Sequence, residues 1–137
     1  MTAQSPLTIG EVARRAGIAT SAIRYYERRG LLRAAARVSG QRRYSEKDLR
    51  KVVFVGLLQD AGLTLDDIDV VLNARSVAKW KAIALARLEQ LEAEMQKLAT
   101  MHELLQGALL CRYDHPLSEC KVMGRGIDDR LVATANA

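Results

Sequence analysis

Aromatic side chains make up only 4% of the 137 residues, with one Trp and one Phe. A large compact core needs such bulk. The apolar content is mostly Leu, Ala, Val and Ile, so thin helical layers completed by a partner chain are the better expectation. Long apolar runs are missing too. No stretch of about 18 uncharged apolar residues could span a bilayer, and the N-terminus lacks the basic-then-apolar order of a secretion signal. A cytoplasmic protein with no membrane partner is expected. Histidine occurs twice, and there is no nucleophile elbow, glycine-rich phosphate loop or H-E-x-x-H motif, which argues against an enzyme. Cysteine also occurs only twice, at Cys111 and Cys120.

What is present is the composition of a folded soluble chain, 49% hydrophobic and 27% charged. Its net charge of +5 is unevenly spread: residues 1–60 hold 12 Lys and Arg against 5 Asp and Glu, a net of +7, and the remainder carries −2. Clustered cations favour a polyanion partner for the N-terminal half, because phosphates release their counterions to them.

Thr8-Ile9-Gly10-Glu11 has the form of a capping box ahead of the apolar Val12, Ala13 and Ala16. A short helix ending at Gly17 follows, and small residues at Ala13 and Gly17 would allow a close helix crossing. Thr20 or Ser21 then caps a second helix through about Arg29, with Gly30 as its stop. Two short helices around a tight glycine turn form a helix-turn-helix pattern. Ser39-Gly40, between flanks that can extend, marks a hairpin, read as a wing over residues 31–44. Ser45 to Asp48 starts a helix to about Asp60 that buries Leu49, Val52, Val53, Leu57 and Leu58. Gly62 closes it, and Thr64 to Asp67 caps a shorter one carrying Ile68, Val71 and Leu72.

From about Lys79 to Leu109 there is no proline and no glycine before Gly107. Ala84, Leu88, Leu91, Met95, Leu98, His102, Leu105 and Leu109 follow the alternating four and three spacing of a coiled-coil seam. Such a helix would be over about 40 Å long, and its apolar stripe needs a cover. Residues 1–75 read as self-contained, so a parallel or antiparallel helix from a second subunit is expected to supply it.

The run I-G-E-V-A-R-R-A-G-I-A-T-S-A-I-R-Y-Y-E-R-R-G-L-L (Ile9 to Leu32), then Gln41-Arg42-Arg43-Tyr44 and the long helix, resembles the MerR family of transcription regulators over about residues 7 to 120. The expected fold is mainly α. A winged helix-turn-helix DNA-binding domain (1–75) precedes a long dimerisation helix (76–110), antiparallel to its partner in the dimer, and an effector loop with a tail (111–137). The resemblance implies homodimers on a palindrome within double-stranded promoter DNA. There the effector-bound form bends and untwists a promoter whose elements for RNA polymerase are too far apart. DNA deformation energy becomes the regulated quantity. The residues agree with this reading. Thr20, Ser21, Arg24 and Tyr25 fall on the early part of the second helix, where base edges and flanking phosphates are met. Arg42, Arg43 and Tyr44 are placed for the sugar-phosphate backbone, and Tyr26 is expected in the core. Arg14, Arg15, Arg28 and Arg29 are equally consistent with solvated charges. The seam of the dimer is assigned to Leu88, Leu91, Met95, Leu98 and Leu105.

Both thiols lie just after the long helix in a C-x3-H-x4-C arrangement, Cys111, His115 and Cys120. Two thiolates and an imidazole suit Zn(II), Cu(I) or a related ion. The resemblance implies the same, since metal-sensing members place cysteines at these two positions. Such members add a cysteine or serine near the start of the dimer helix, where this chain has Val77. The three residues would therefore recruit Asp114, Glu119, His102 or water. A thiol switch responding to an oxidant or electrophile, and a loop that senses an organic ligand or nothing, are the alternatives. A non-enzymatic coiled-coil interaction protein with an incidental basic head is the rival to DNA regulation. The tail from Lys121 admits a short helix, and its last residues (A-T-A-N-A) carry no structural signal.

Overall fold

Three helix starts use one device, reciprocal bonding between an N-cap hydroxyl and the carboxylate three residues on. Thr8 Oγ1 accepts from the Glu11 amide at 3.1 Å while Glu11 accepts from the Thr8 amide. Ser45 and Asp48 repeat the arrangement, as do Thr64 and Asp67. Each satisfies backbone donors that the first helical turn leaves free. All three boxes are those expected above.

The computed structural model describes residues 6–137; residues 1–5, part of the stretch read above for its lack of a leader pattern, lie outside them. The elements are β1 (Leu7–Thr8), α1 (Ile9–Ala16), α2 (Thr20–Arg28), β2 (Ala36–Val38), β3 (Gln41–Tyr44), α3 (Glu46–Asp60), α4 (Leu65–Asn73), α5 (Val77–Leu109), α6 (Pro116–Glu119) and α7 (Lys121–Ala135). The described residues form two units, the first ending at Arg87 and the second Leu88–Ala137.

In the first unit α1 and α2 form the helix-turn-helix. Gly17 has φ +71, which suits glycine, and a side chain there would meet nothing within 4 Å. The backbone turn, then, and not a close crossing, explains this glycine. α2 begins before the expected caps: Ala19 occupies the N-cap with extended backbone and no side-chain bond, which puts Thr20 and Ser21 inside the first turn. β3 is central in a three-stranded antiparallel sheet of order β1-β3-β2, with Leu7 opposite Tyr44 and Arg37 opposite Arg42. Ser39 (φ +53) and Gly40 (φ +77) make the β2-β3 turn, both left-handed as a two-residue type I′ turn demands.

The core joins Val12, Ile23, Tyr26, Leu31, Leu32, Tyr44, Leu49, Val52, Val55 and Ile68. On α3 the buried side is Leu49, Val52 and Val55, whereas Val53, Phe54 and Leu57 are exposed. This corrects the expectation that Val53 and Leu57 face inward. α3 is apolar on more than one face, and the unit covers only one of them. The start of α5 is marked by Ser76, whose Oγ accepts from the Lys79 amide, and Arg87 Nε donates to the Ala61 carbonyl at the end of α3 at 2.9 Å.

The second unit is different in kind. Among its described residues only Cys120 is buried, at 7% exposure, while Leu88, Met95, Leu98, Leu105 and Leu109 of α5 and Leu117, Val122, Leu131 and Val132 beyond it are exposed. A side chain at Gly107 would come into ordinary van der Waals contact with Val122, 3.8 Å away. α7 continues to Ala135, so most of the A-T-A-N-A stretch is helical. No described helix is long and apolar enough to cross a membrane.

Candidate functional site

α2 turns Ile23 and Tyr26 into the core, and the 3.6-residue period then leaves Ser21, Arg24, Tyr25 and Arg28 outward. Thr20 is half-buried at the helix start. Tyr26 donates to Gln59 Oε1 at 2.6 Å, and burial, then the charge of Asp60, raises its pKa. Tyr25 has the guanidinium carbon of Arg28 5.6 Å from its ring centroid, and its hydroxyl accepts from Arg29. Arg29 is also paired with Asp66, and Arg15 with Glu46 at 2.5 Å. These two arginines therefore brace α1 and α2 against α3 and α4.

A cleft of about 410 Å³ is lined by Arg24 from α2 and by Arg37, Arg42 and Arg43 from the hairpin. Three of these were expected at the interface. Arg37 was missed, although its register partner is Arg42. Four guanidiniums around one concavity can hold phosphate oxygens through forked hydrogen bonds.

Tyr44 is the correction here. Expected to touch DNA, it is fully buried, and its hydroxyl donates to the Glu27 carboxylate. Burial first, and then the bond to Glu27, raises its pKa, so the phenol stays a donor. Glu27 also receives Arg42 Nε at 2.9 Å. Sequence reasoning passed over Glu27, yet a signal existed. It is the only acidic residue between Glu11 and Glu46, a stretch that holds nine arginines.

In the second unit the thiols of Cys111 and Cys120 come together. Cys111 is half-buried beyond the end of α5, and Cys120 stands at the N-cap of α7. The Met123 amide, then the Cys111 S–H, and then the Val122 amide pull the Cys120 pKa below the ordinary thiol value, against the opposing effect of burial. These groups favour the thiolate without a formal capping bond. His115 does not join them. Its carbonyl accepts from the Ser118 and Glu119 amides at the start of α6, with Pro116 at the first helical position. Among the described residues no three His, Cys, Asp or Glu side chains form a group that could hold a metal ion. The expected set Cys111, His115 and Cys120 is thus reduced to two neighbouring thiols. Val77 is exposed and offers no donor.

Residues 7–75 match the MerR HTH family regulatory proteins, and residues 49–108 match the DNA-binding region described for MerR. The chain belongs to the MerR family. It is accordingly a DNA-binding transcription regulator and not an enzyme. An uncharacterized HTH-type transcriptional regulator of Pseudomonas aeruginosa is 35% identical over 116 residues, covering 80% of this chain and 88% of the relative. The mercuric resistance operon regulatory protein of Shigella flexneri is 36% identical over 109 residues, covering 77% and 75%. The structure of the transcription regulator PbrR691 from Ralstonia metallidurans CH34 in complex with lead(II) superposes with a TM-score of 0.62 at 27% identity, covering 87% and 98%.

Proposed function

We propose that this MerR-family regulator acts as a homodimer on palindromic promoter DNA, paired through α5, and that it responds to a soft metal ion held by Cys111 and Cys120. The observation that carries the dimer is the near-absence of a core in residues 88–137. Burial of the single residue Cys120 among those described cannot offset the backbone entropy of ordering two long helices. The exposed stripe of Leu88, Met95, Leu98 and Leu105, with the half-buried Leu91, has the spacing to be covered by a second α5.

At the DNA, Arg24 with Ser21 and Tyr25 reads the major groove from α2. Arg37, Arg42 and Arg43 hold the flanking phosphates. Arg24→Ala is expected to weaken operator binding about 10- to 100-fold, the worth of one bidentate base contact. It should also lower the salt slope by about one if the arginine meets a phosphate. Fluorescence anisotropy on the promoter upstream of its own gene measures both, and retained affinity and specificity over competitor DNA would refute the placement of the recognition helix.

The effector part rests on the paired thiols. Two thiolates without a third protein donor fit a soft ion of low coordination number such as Cu(I) better than tetrahedral Zn(II). A bound ion would supply a rigid link between the end of α5 and the start of α7. Binding would thus bias one dimer shape over another, and the DNA deformation energy would read the difference. Titration of the reduced protein with Cu(I), Zn(II), Cd(II) and Pb(II) is expected to show tight binding of Cu(I), abolished in the double variant Cys111→Ser/Cys120→Ser. The idea is sunk if none of these ions binds tightly and the double variant still responds in cells.

The nearness of the two thiols also favours a second reading, a disulfide switch. Hydrogen peroxide would take two electrons and two protons from Cys111 and Cys120, leaving one S–S bond and two waters. A mass loss of two hydrogens, with a matching change in promoter activity under metal chelation, separates this from the metal reading.

A further inference from the structure

A carboxylate inside a surface that meets a polyanion works against binding, because it repels the phosphates that the arginines attract. Glu27 is such a group. Its side chain is 14% exposed, on the helix that carries Arg24, and it accepts from Tyr44 and from Arg42 Nε. Tyr44 is fixed in the core with its ring fully buried. The carboxylate is thereby anchored at one oxygen, and its other oxygen is held toward Arg42. The exposed partner is Arg42, 41% exposed, on the strand that leads out of the turn.

A free arginine loses substantial rotamer freedom when it settles on a phosphate, and prior immobilisation removes that cost from the binding step. Holding Arg42 by Nε sets the guanidinium plane and leaves its two terminal amino groups, with four N–H donors, for a phosphate. We infer that Glu27, anchored by Tyr44, is a positioning residue for DNA recognition that fixes Arg42 of the wing in register with the recognition helix. The inference rests on the reading above that Arg42 meets the DNA backbone.

Operator affinity across a salt series, with the melting temperature of each protein, tests it in Arg42→Ala, Glu27→Gln, Glu27→Asp and the double variant Glu27→Gln/Arg42→Ala. Arg42→Ala is expected to lose about 10-fold in affinity and about one unit of salt slope, as for a single phosphate contact. Glu27→Gln still accepts from Tyr44 but loses the charge that holds Arg42. It is expected to lose about 5- to 10-fold, and the double variant should bind no more weakly than Arg42→Ala alone, the signature of one coupled contact. Glu27→Asp keeps the charge and shortens the reach, so it too should lose about 5-fold by the same coupling, and it decides the matter if Glu27→Gln does not fold. If Arg42→Ala binds like the parent, the reading of Arg42 at the DNA is wrong. If Arg42→Ala weakens binding while Glu27→Gln and Glu27→Asp bind as well as the parent or tighter, or if the losses multiply in the double variant, Glu27 does not position Arg42.

Discussion

Leu98→Asp is expected to convert the proposed dimer into monomers. In the single chain Leu98 is 62% exposed, so an aspartate there leaves the fold of one copy almost untouched. The cost falls on pairing. Each dimer loses two leucines from the seam, about 1.5–3 kcal/mol apiece for full burial, and gains two carboxylates that must be desolvated or protonated. Even the first effect alone corresponds to about a 100-fold or greater rise in the dissociation constant, and the charges add several kcal/mol more. Sedimentation equilibrium at micromolar concentration should show one chain for the variant and two for the parent. Operator affinity should fall with it, since two untethered heads lose the effective concentration that lets the second half-site bind. A variant that still sediments as a dimer means that the seam lies elsewhere on α5.

The largest effect on the fold itself is expected from Tyr44→Ala. A fully buried aromatic leaves a cavity that its neighbours refill only in part, and such truncations cost about 3–5 kcal/mol. The change also removes the Glu27 anchor, so the wing keeps only the Arg42 ion pair as a polar tie from β3 to Glu27 of α2, and loses its packing. For a unit of this size a loss of about 3 kcal/mol lowers the melting temperature by more than about 12 °C. Calorimetry of the parent and the variant checks this. A shift of only a degree or two would contradict the core assignment and return Tyr44 to the surface role that its neighbours Arg42 and Arg43 suggest in the sequence.

These two residues mark the border between what was legible in the sequence and what was not. Local chemistry was readable. The three capping boxes, the glycine stops and the Ser39-Gly40 turn each depend on residues within four positions of one another, and all are present. The fate of Tyr44 was not readable, because its burial comes from pairing with Leu7 on β1, more than thirty residues away. R-R-Y reads as one basic motif until strand alternation parts Tyr44 from Arg43 and leaves it with Arg42 on the face that meets Glu27. On α3, Val52 through Val55 form an apolar run, so periodicity could not say that Val55 goes inward while Val53 and Phe54 face out.

The site shows the same division. The arginines were visible as charge, but the glutamate that binds one of them works across the gap between α2 and β3 and has no spacing to reveal it. At the other end, C-x3-H-x4-C is a spacing along a string. Once Pro116 starts α6, the His115 backbone serves as the helix start and its ring does not join the thiols. α7 was half hidden for a simple reason: Gly124 and Gly126 within it lower the helical signal, and no side chain caps its start.

The central claim is that two chains, joined through α5, hold two basic reading heads on one stretch of DNA. The mass of the complex formed on a single palindromic promoter duplex, measured by sedimentation at physiological salt, tests it most directly. Two chains per duplex, bound without a stable one-chain intermediate, is the result the account predicts. One chain per duplex, or loading that grows with duplex length regardless of sequence, would contradict it.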